Sequence, residues 1–242
     1  MNLINIAEKL ARQADALEFA APVTHVYNPL VYAWQPHRRY LEKYGRGNVE
    51  VLLLGMNPGP FGMAQTGVPF GDPALVRDWL QISGRIGRPP VVHPRRPILG
   101  FECERGEVSG KRLWGWARET FGSPDRFFRR FFVGNYCPLT FLEQSGRNRT
   151  PNKLPVAERR ALQKICDAAL QQTVAVLAPQ WVVAIGAFAE KQARRALFGV
   201  SVRGGEVAIG RILHPSPASP KANQGWAGQA ERELKKLGIA LP

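Results

Sequence analysis

The sequence has little cysteine, little histidine and no long apolar run. Its three cysteines, Cys103, Cys137 and Cys166, stand far apart and form no C-x-x-C pair. That excludes a disulfide framework and a four-cysteine iron–sulfur cluster, leaving buried free thiols as the expected state. With only four histidines and no clustered Cys/His/carboxylate spacing, neither a metal nor a cofactor is expected. No stretch approaches the length of a membrane span. The first residues carry Glu8, Asp15 and Glu18 and lack the apolar core of a signal peptide. Acidic residues are also scarce: 19 Asp and Glu face 33 Lys and Arg, giving a formal charge of +14. An excess this large favours a polyanionic partner, nucleic acid being the commonest.

What is present reads as one globular domain over residues 1–242, with 45% hydrophobic residues, 24 glycines and 20 prolines. Leu3, Ala7, Leu10, Ala11, Ala14 and Leu17 recur at helical spacing, and a second helical stretch covers Leu30 to Tyr44. A strand at 49–54 follows. Asp72-Pro73 has the pattern of an N-cap and first helical residue, predicting a helix to about Ile82. Residues 84–108 form a Pro-rich but apolar, ordered excursion. Ser109 is placed to cap a helix reaching Phe121, and Arg126–Arg130 reads as a short basic helix. Strands at 131–134, 181–185 and 207–213 alternate with helices at 156–177, 187–198 and 226–237. This alternation predicts a mostly parallel sheet covered on both faces.

The chain is organised around Gly55-Met56-Asn57-Pro58-Gly59-Pro60-Phe61-Gly62 and its continuation to Phe70-Gly71. A loop leaving the carboxyl end of a buried strand is where open α/β sheets hold ligands. It is not a phosphate loop: the spacing differs from G-x-G-x-x-G, and Pro58 and Pro60 remove backbone donors. It is built to be stiff and to hold side chains still, with Asn57, Phe61, Gln65 and Phe70 as candidates. Two further strand ends deliver a polar group beside proline: Asn135, before Pro138, and His214, before Pro215. Singly, each is better read as a turn residue or a structural histidine. Together, on one edge of a parallel sheet, they form a candidate site.

These residues resemble the single-strand-selective monofunctional uracil-DNA glycosylases of the uracil-DNA glycosylase superfamily. The Gly55–Gly71 loop matches that family's first motif nearly letter for letter, and His214–Pro217 its second. The likeness continues through Val76–Leu80, Ser109–Arg112, Asn135–Leu139, Ser145–Asn148 and Ala193–Leu197. The resemblance implies a three-layer α/β/α sandwich around a mostly parallel four-stranded sheet. It also implies monofunctional hydrolysis of the N-glycosidic bond of uracil, extending to 5-substituted or oxidised uracils, in single- and double-stranded DNA. By the same resemblance Asn57 positions the attacking water, His214 serves the leaving base, Asn135 reads it and Phe70 stacks on it. Met56, Gly59 and Phe61 line the substrate pocket.

Two basic segments are expected to touch DNA. The first comprises Ser145, Gly146, Arg147, Asn148, Arg149 and Lys153; the second is a stiff wedge of Pro215, Ser216, Pro217, Ala218, Ser219 and Lys221. Here the chain departs from animal members, which carry Arg after His-Pro-Ser-Pro where this chain has Ala218. Tyr136 likewise stands where Leu is expected beside Asn135, at the pocket rim. A monomer is expected, with no membrane partner, in the cytoplasm of a bacterium or the nucleus of a eukaryote. A non-catalytic nucleic-acid binder that keeps the fold is the alternative, and a carboxylate-driven nucleoside hydrolase using Asp72 a third reading.

Overall fold

A computed structural model describes residues 1–242. Nine strands are present: β1 (Val23–Tyr27), β2 (Val51–Gly55), β3 (Phe131–Asn135), β4 (Thr140–Glu143), β5 (Asn148–Arg149), β6 (Trp181–Ile185), β7 (Ser201–Val202), β8 (Gly205–Glu206) and β9 (Ala208–Ile212). The central sheet has the order β3-β2-β6-β9 and is parallel throughout. Every residue of β2 is buried, which is why Val51-Leu52-Leu53-Leu54 reads as continuously apolar instead of alternating.

Alternation of side chains along β3 assigns the two faces. Phe132 lies with Leu52 and Leu54 against residues of the helices Leu3–Asp15, Trp34–Tyr44 and Val156–Leu177. Phe131 packs instead on Trp116 of the helix Val108–Phe121, whose indole also meets Trp226 of the helix Trp226–Lys236. The three layers are therefore helix, sheet and helix, as expected. All three cysteines are buried and free.

Several features depart from the sequence reading. An antiparallel sheet of order β1-β4-β5 and a small β7–β8 hairpin were not expected. These strands are short and sit among polar or Pro-flanked segments, so their pairing, not a local pattern, makes them strands. The helix expected over 30–44 is broken at Ala33 into Pro29–Tyr32 and Trp34–Tyr44, and the one expected to reach Ile82 stops at Asp78. Asp72 does cap it, accepting from the Leu75 N–H. Ser109 caps nothing: its helix starts at Val108, and the Ser109 hydroxyl donates instead to the Pro215 carbonyl across the molecule.

Candidate active site

The carboxyl ends of β2, β3 and β9 lie on one edge of the central sheet, so Asn57, Asn135 and His214 gather there. The first two loops are bonded to one another. Gly55 pairs in register with Asn135, the Tyr136 N–H donates to the Gly55 carbonyl, and the Cys137 N–H donates to that of Met56, both at 2.9 Å.

Gly55 shows how tightly the site closes. A Cβ at this position would overlap Asn135 Oδ1 and stand 2.6 and 2.8 Å from Cε2 and Cζ of Phe70. The carboxamide of Asn135 and the ring of Phe70 thus converge over a bare stretch of backbone. Asn135 Nδ2 donates to Met63 Sδ at 3.2 Å, while its Oδ1 is buried without any partner. A buried acceptor left unmet costs about 1–3 kcal/mol. Met63 is not among the residues the sequence singles out, because a methionine at helical spacing carries no polar signal.

Phe70 is held in a left-handed backbone conformation, φ 53°. For a bulky residue this costs on the order of 1–3 kcal/mol and persists only when neighbours fix it. They do: Gly110 brings the helix Val108–Phe121 so close that a Cβ there would overlap the Phe70 carbonyl oxygen. Trp114 Nε1 also donates to the preceding Pro69 carbonyl at 3.2 Å. The ring centroid of Phe70 ends 6.2 Å from that of His214.

Asn57 donates from Nδ2 to the Leu139 carbonyl at 3.0 Å, which leaves its Oδ1 as an acceptor without a protein partner. His214 is held through its flanking backbone. The Leu213 N–H donates to Glu233, its carbonyl accepts from Trp226 Nε1, and Arg112 Nη1 donates to the carbonyls of Pro215 and Ser216. The imidazole itself makes no hydrogen bond within the protein, and burial pushes its pKa below the ordinary 6.5. Gly186, at φ 93°, opens space for it: a Cβ there would lie 3.1 Å from that of His214. The other histidines are engaged elsewhere; His37 bonds the Gly67 carbonyl at 2.7 Å, and His25 and His93 pack edge to face.

Several candidates fall into other roles. Gln65 is a structural staple: Nε2 donates to the carbonyls of Pro60 and Pro97, and Oε1 accepts from the N–H groups of Leu99 and Gly100. Its full bonding capacity is used, so nothing remains for a ligand. Phe61 carries the Arg105 guanidinium 4.1 Å from its ring centroid. Gly59 and Gly62 pack on Glu107, a carboxyl missed in the sequence, whose pKa is raised by burial and then by Asp72. Asp72 accepts from the backbone N–H groups of Leu75 and Glu107 and is almost wholly buried, so it is spent on structure. Tyr136, beside Asn135, is buried, and its hydroxyl donates to Asp167 at 2.7 Å, within a cluster completed by Arg195.

The 145–153 segment is not uniformly exposed. Ser145, Arg147 and Lys153 face solvent, but Gly146 is buried and Asn148 half-buried in β5. Arg149 is tied to Glu143 and to the Lys153 carbonyl. In the second segment Pro217, Ala218 and Lys221 are exposed, Ser216 and Ser219 less so, and Pro215 is buried. The Ser219 hydroxyl caps the short helix Pro220–Asn223. No group of three or more His, Cys, Asp or Glu is arranged to hold a metal ion.

Residues 42–235 match the family model described as the uracil DNA glycosylase superfamily. Over 231 residues, 96% of the chain, the sequence is 53% identical to the single-strand selective monofunctional uracil-DNA glycosylase of Rattus norvegicus, covering 82% of that protein. It is 52% identical to those of Mus musculus and Bos taurus over the same length, covering 82% and 84% of them. A crystal structure of wild-type SMUG2 from Pedobacter heparinus shares the fold, with a TM-score of 0.65 at 19% identity, over 97% of this chain and 99% of that one.

Proposed function

The chain belongs to the single-strand-selective monofunctional uracil-DNA glycosylase family, and from that premise we propose that it hydrolyses the N-glycosidic bond of uracil in DNA with the residues gathered at this sheet edge. The observation that carries the reading is the buried, unpartnered Oδ1 of Asn135 beside the Phe70 ring. A carboxamide offers one acceptor and two donors, so Asn135 faces uracil N3–H with Oδ1 and O4 with Nδ2. Cytosine reverses both partners. The base leaves its stack to arrive there, and Phe70 replaces part of the lost stacking.

The departing uracil carries its negative charge over two carbonyls and the ring, so a strong acid is not needed. Orientation and electrostatic stabilisation then supply most of the rate. Asn57 Oδ1, the free end of an amide anchored on Leu139, accepts a hydrogen bond from the attacking water and aims its oxygen at the sugar carbon. As the C–N bond breaks the electron pair leaves with the base, and the proton lost by the water ends on the uracil anion. His214, neutral near pH 7, donates from a ring nitrogen to the base oxygen where charge develops. No step uses a metal. Uracils substituted or oxidised at the 5-position follow as further substrates.

Release of free uracil from a single-stranded oligonucleotide tests the proposal; binding without release would leave the non-catalytic alternative. Asn135→Asp adds a specificity test. A protonated carboxyl presents a donor and an acceptor suited to cytosine N3 and its amino group, so measurable cytosine excision is the expected outcome. Loss of uracil excision with no gain on cytosine, in a folded variant, would remove Asn135 as the reader.

Ala218 bears on strand preference. Extruding a base from a duplex costs on the order of a few kcal/mol, much of which a single strand avoids. A long side chain filling the vacated stack recovers part of that cost. Ala218 is exposed and too short to do so. Ala218→Arg is therefore expected to raise single-turnover excision from duplex more than from single strands, at one fixed salt concentration. An unchanged ratio would place residue 218 away from the wedge tip.

A further inference from the structure

Residues 84–107 take no part in the chemistry above, yet they are fastened to the active-site loop through Gln65 and to the β1-β4-β5 side of the protein through Tyr27 and Gln144. Gln65 bonds Pro97, Leu99 and Gly100. Tyr27 donates its hydroxyl proton to the Arg96 carbonyl at 2.7 Å and accepts from the His93 N–H at 2.8 Å. His93 Nδ1 accepts from the Arg95 N–H, so its Nε2 donates to the Gln144 carbonyl. The effect of this bracing is to bring two guanidinium groups onto one ring. The Cζ of Arg105 lies 4.1 Å and that of Arg96 5.3 Å from the centroid of Phe61, four residues after Asn57.

Neither arginine has a carboxylate partner. Arg105 makes no side-chain hydrogen bond; Arg96 donates from Nη1 to the Arg95 carbonyl, and its Nε is buried without a partner. Each cation–π contact contributes about 0.5–1 kcal/mol at a partly exposed site. Two like charges are nonetheless gathered with their fork-shaped donors largely unspent, which suits a phosphate oxygen pair. A ring that carries guanidinium groups is not free to stack on a base.

We propose that Arg96 and Arg105, positioned by Phe61, form a clamp for a backbone phosphate of the target strand next to the extruded nucleotide. This rests on the uracil-excision reading. It changes the role of Phe61 from pocket lining to holding the clamp, and gives residues 84–107 the task of fixing its geometry.

The test measures affinity for a single-stranded oligonucleotide carrying a 2′-fluoro uridine analogue that resists base release, across a salt series. On single strands the slope of log K against log salt flattens by about 0.7 for each phosphate that is no longer neutralised. Arg96→Gln/Arg105→Gln is expected to show that flattening. Arg105→Gln alone, which removes no intramolecular hydrogen bond, is expected to show part of it and guards against misfolding of the double variant. Methylphosphonates placed one at a time locate the phosphate: the wild-type protein should bind more weakly when one position beside the target is neutralised, and the double variant should be indifferent there. Wild-type uracil release is measured in parallel. If the wild type fails to release uracil, the functional reading falls; if it releases uracil but the variants keep the wild-type slope and interference pattern, the clamp alone falls.

Discussion

Asn57→Ala and His214→Ala are each expected to lower single-turnover uracil release by about 10²–10³-fold, while affinity for uracil-containing DNA changes little. The magnitude is that of removing one preorganised group from a site where charge develops only in the transition state. Asn57 holds no strong base and His214 no strong acid, so each acts by placement. Their side chains are kept in place by an anchored Nδ2 in one case and a braced backbone in the other. The pH profile separates the two. Burial depresses the His214 pKa below 6.5, so the neutral imidazole predominates at that pH and increasingly above it. Any His214-dependent transition in the rate then has its midpoint below pH 6.5. The same shift means that the unfolded state binds the proton more readily, so the contribution of His214 to stability is lost as pH falls through 6.5 toward the folded value. A His214-dependent transition above pH 6.5, or a variant that loses binding and keeps chemistry, would overturn these assignments.

Gly55→Ala should cost as much without altering any group that touches substrate. The backbone of Gly55 continues β2 in the ordinary extended register, so alanine is acceptable to the strand itself. The added methyl, however, overlaps Asn135 Oδ1 and crowds the edge of Phe70, so these side chains must shift. The backbone is held at both positions, near Phe70 by Gly110 and Trp114 and at Asn135 by its place in the sheet, so the shift falls on the reader and the stacking ring themselves. Overpacking of this kind destabilises by about 1–3 kcal/mol, which a thermal melt would register in a protein that remains folded. A displacement of reader or stacking ring by about 1 Å costs on the order of 10²-fold in rate. Single-turnover excision is the measurement, compared with Asn135→Ala. A folded Gly55→Ala variant with near wild-type rate would show that Asn135 and Phe70 do not close together on the base.

The chemistry of the site is largely legible in the sequence because it is local. Apolar runs followed by Pro-stiffened loops mark the ends of parallel strands, and a parallel sheet puts all such ends on one edge. That logic places Asn57, Asn135 and His214 together from the sequence alone. The helix Val156–Leu177 and the strand Trp181–Ile185 have the same bounds in the structure as in the sequence pattern. The antiparallel β1-β4-β5 sheet escapes because its strands owe their form to pairing across distant parts of the chain.

By itself the sequence determined the fold class, the stiff loops and the identity of the polar groups that the sheet edge collects. Only the tertiary structure decided which candidates have bonding capacity left for a ligand. Gln65 and Asn135 are both carboxamides near one loop, but Gln65 is saturated by four backbone groups while Asn135 keeps a buried oxygen unpaired. Arg149 is bound to Glu143, whereas Arg105 makes no ion pair and lies on Phe61. The partners that make these distinctions come from segments far away in the chain. A side chain's availability is set by what surrounds it in space, and local pattern does not carry that information.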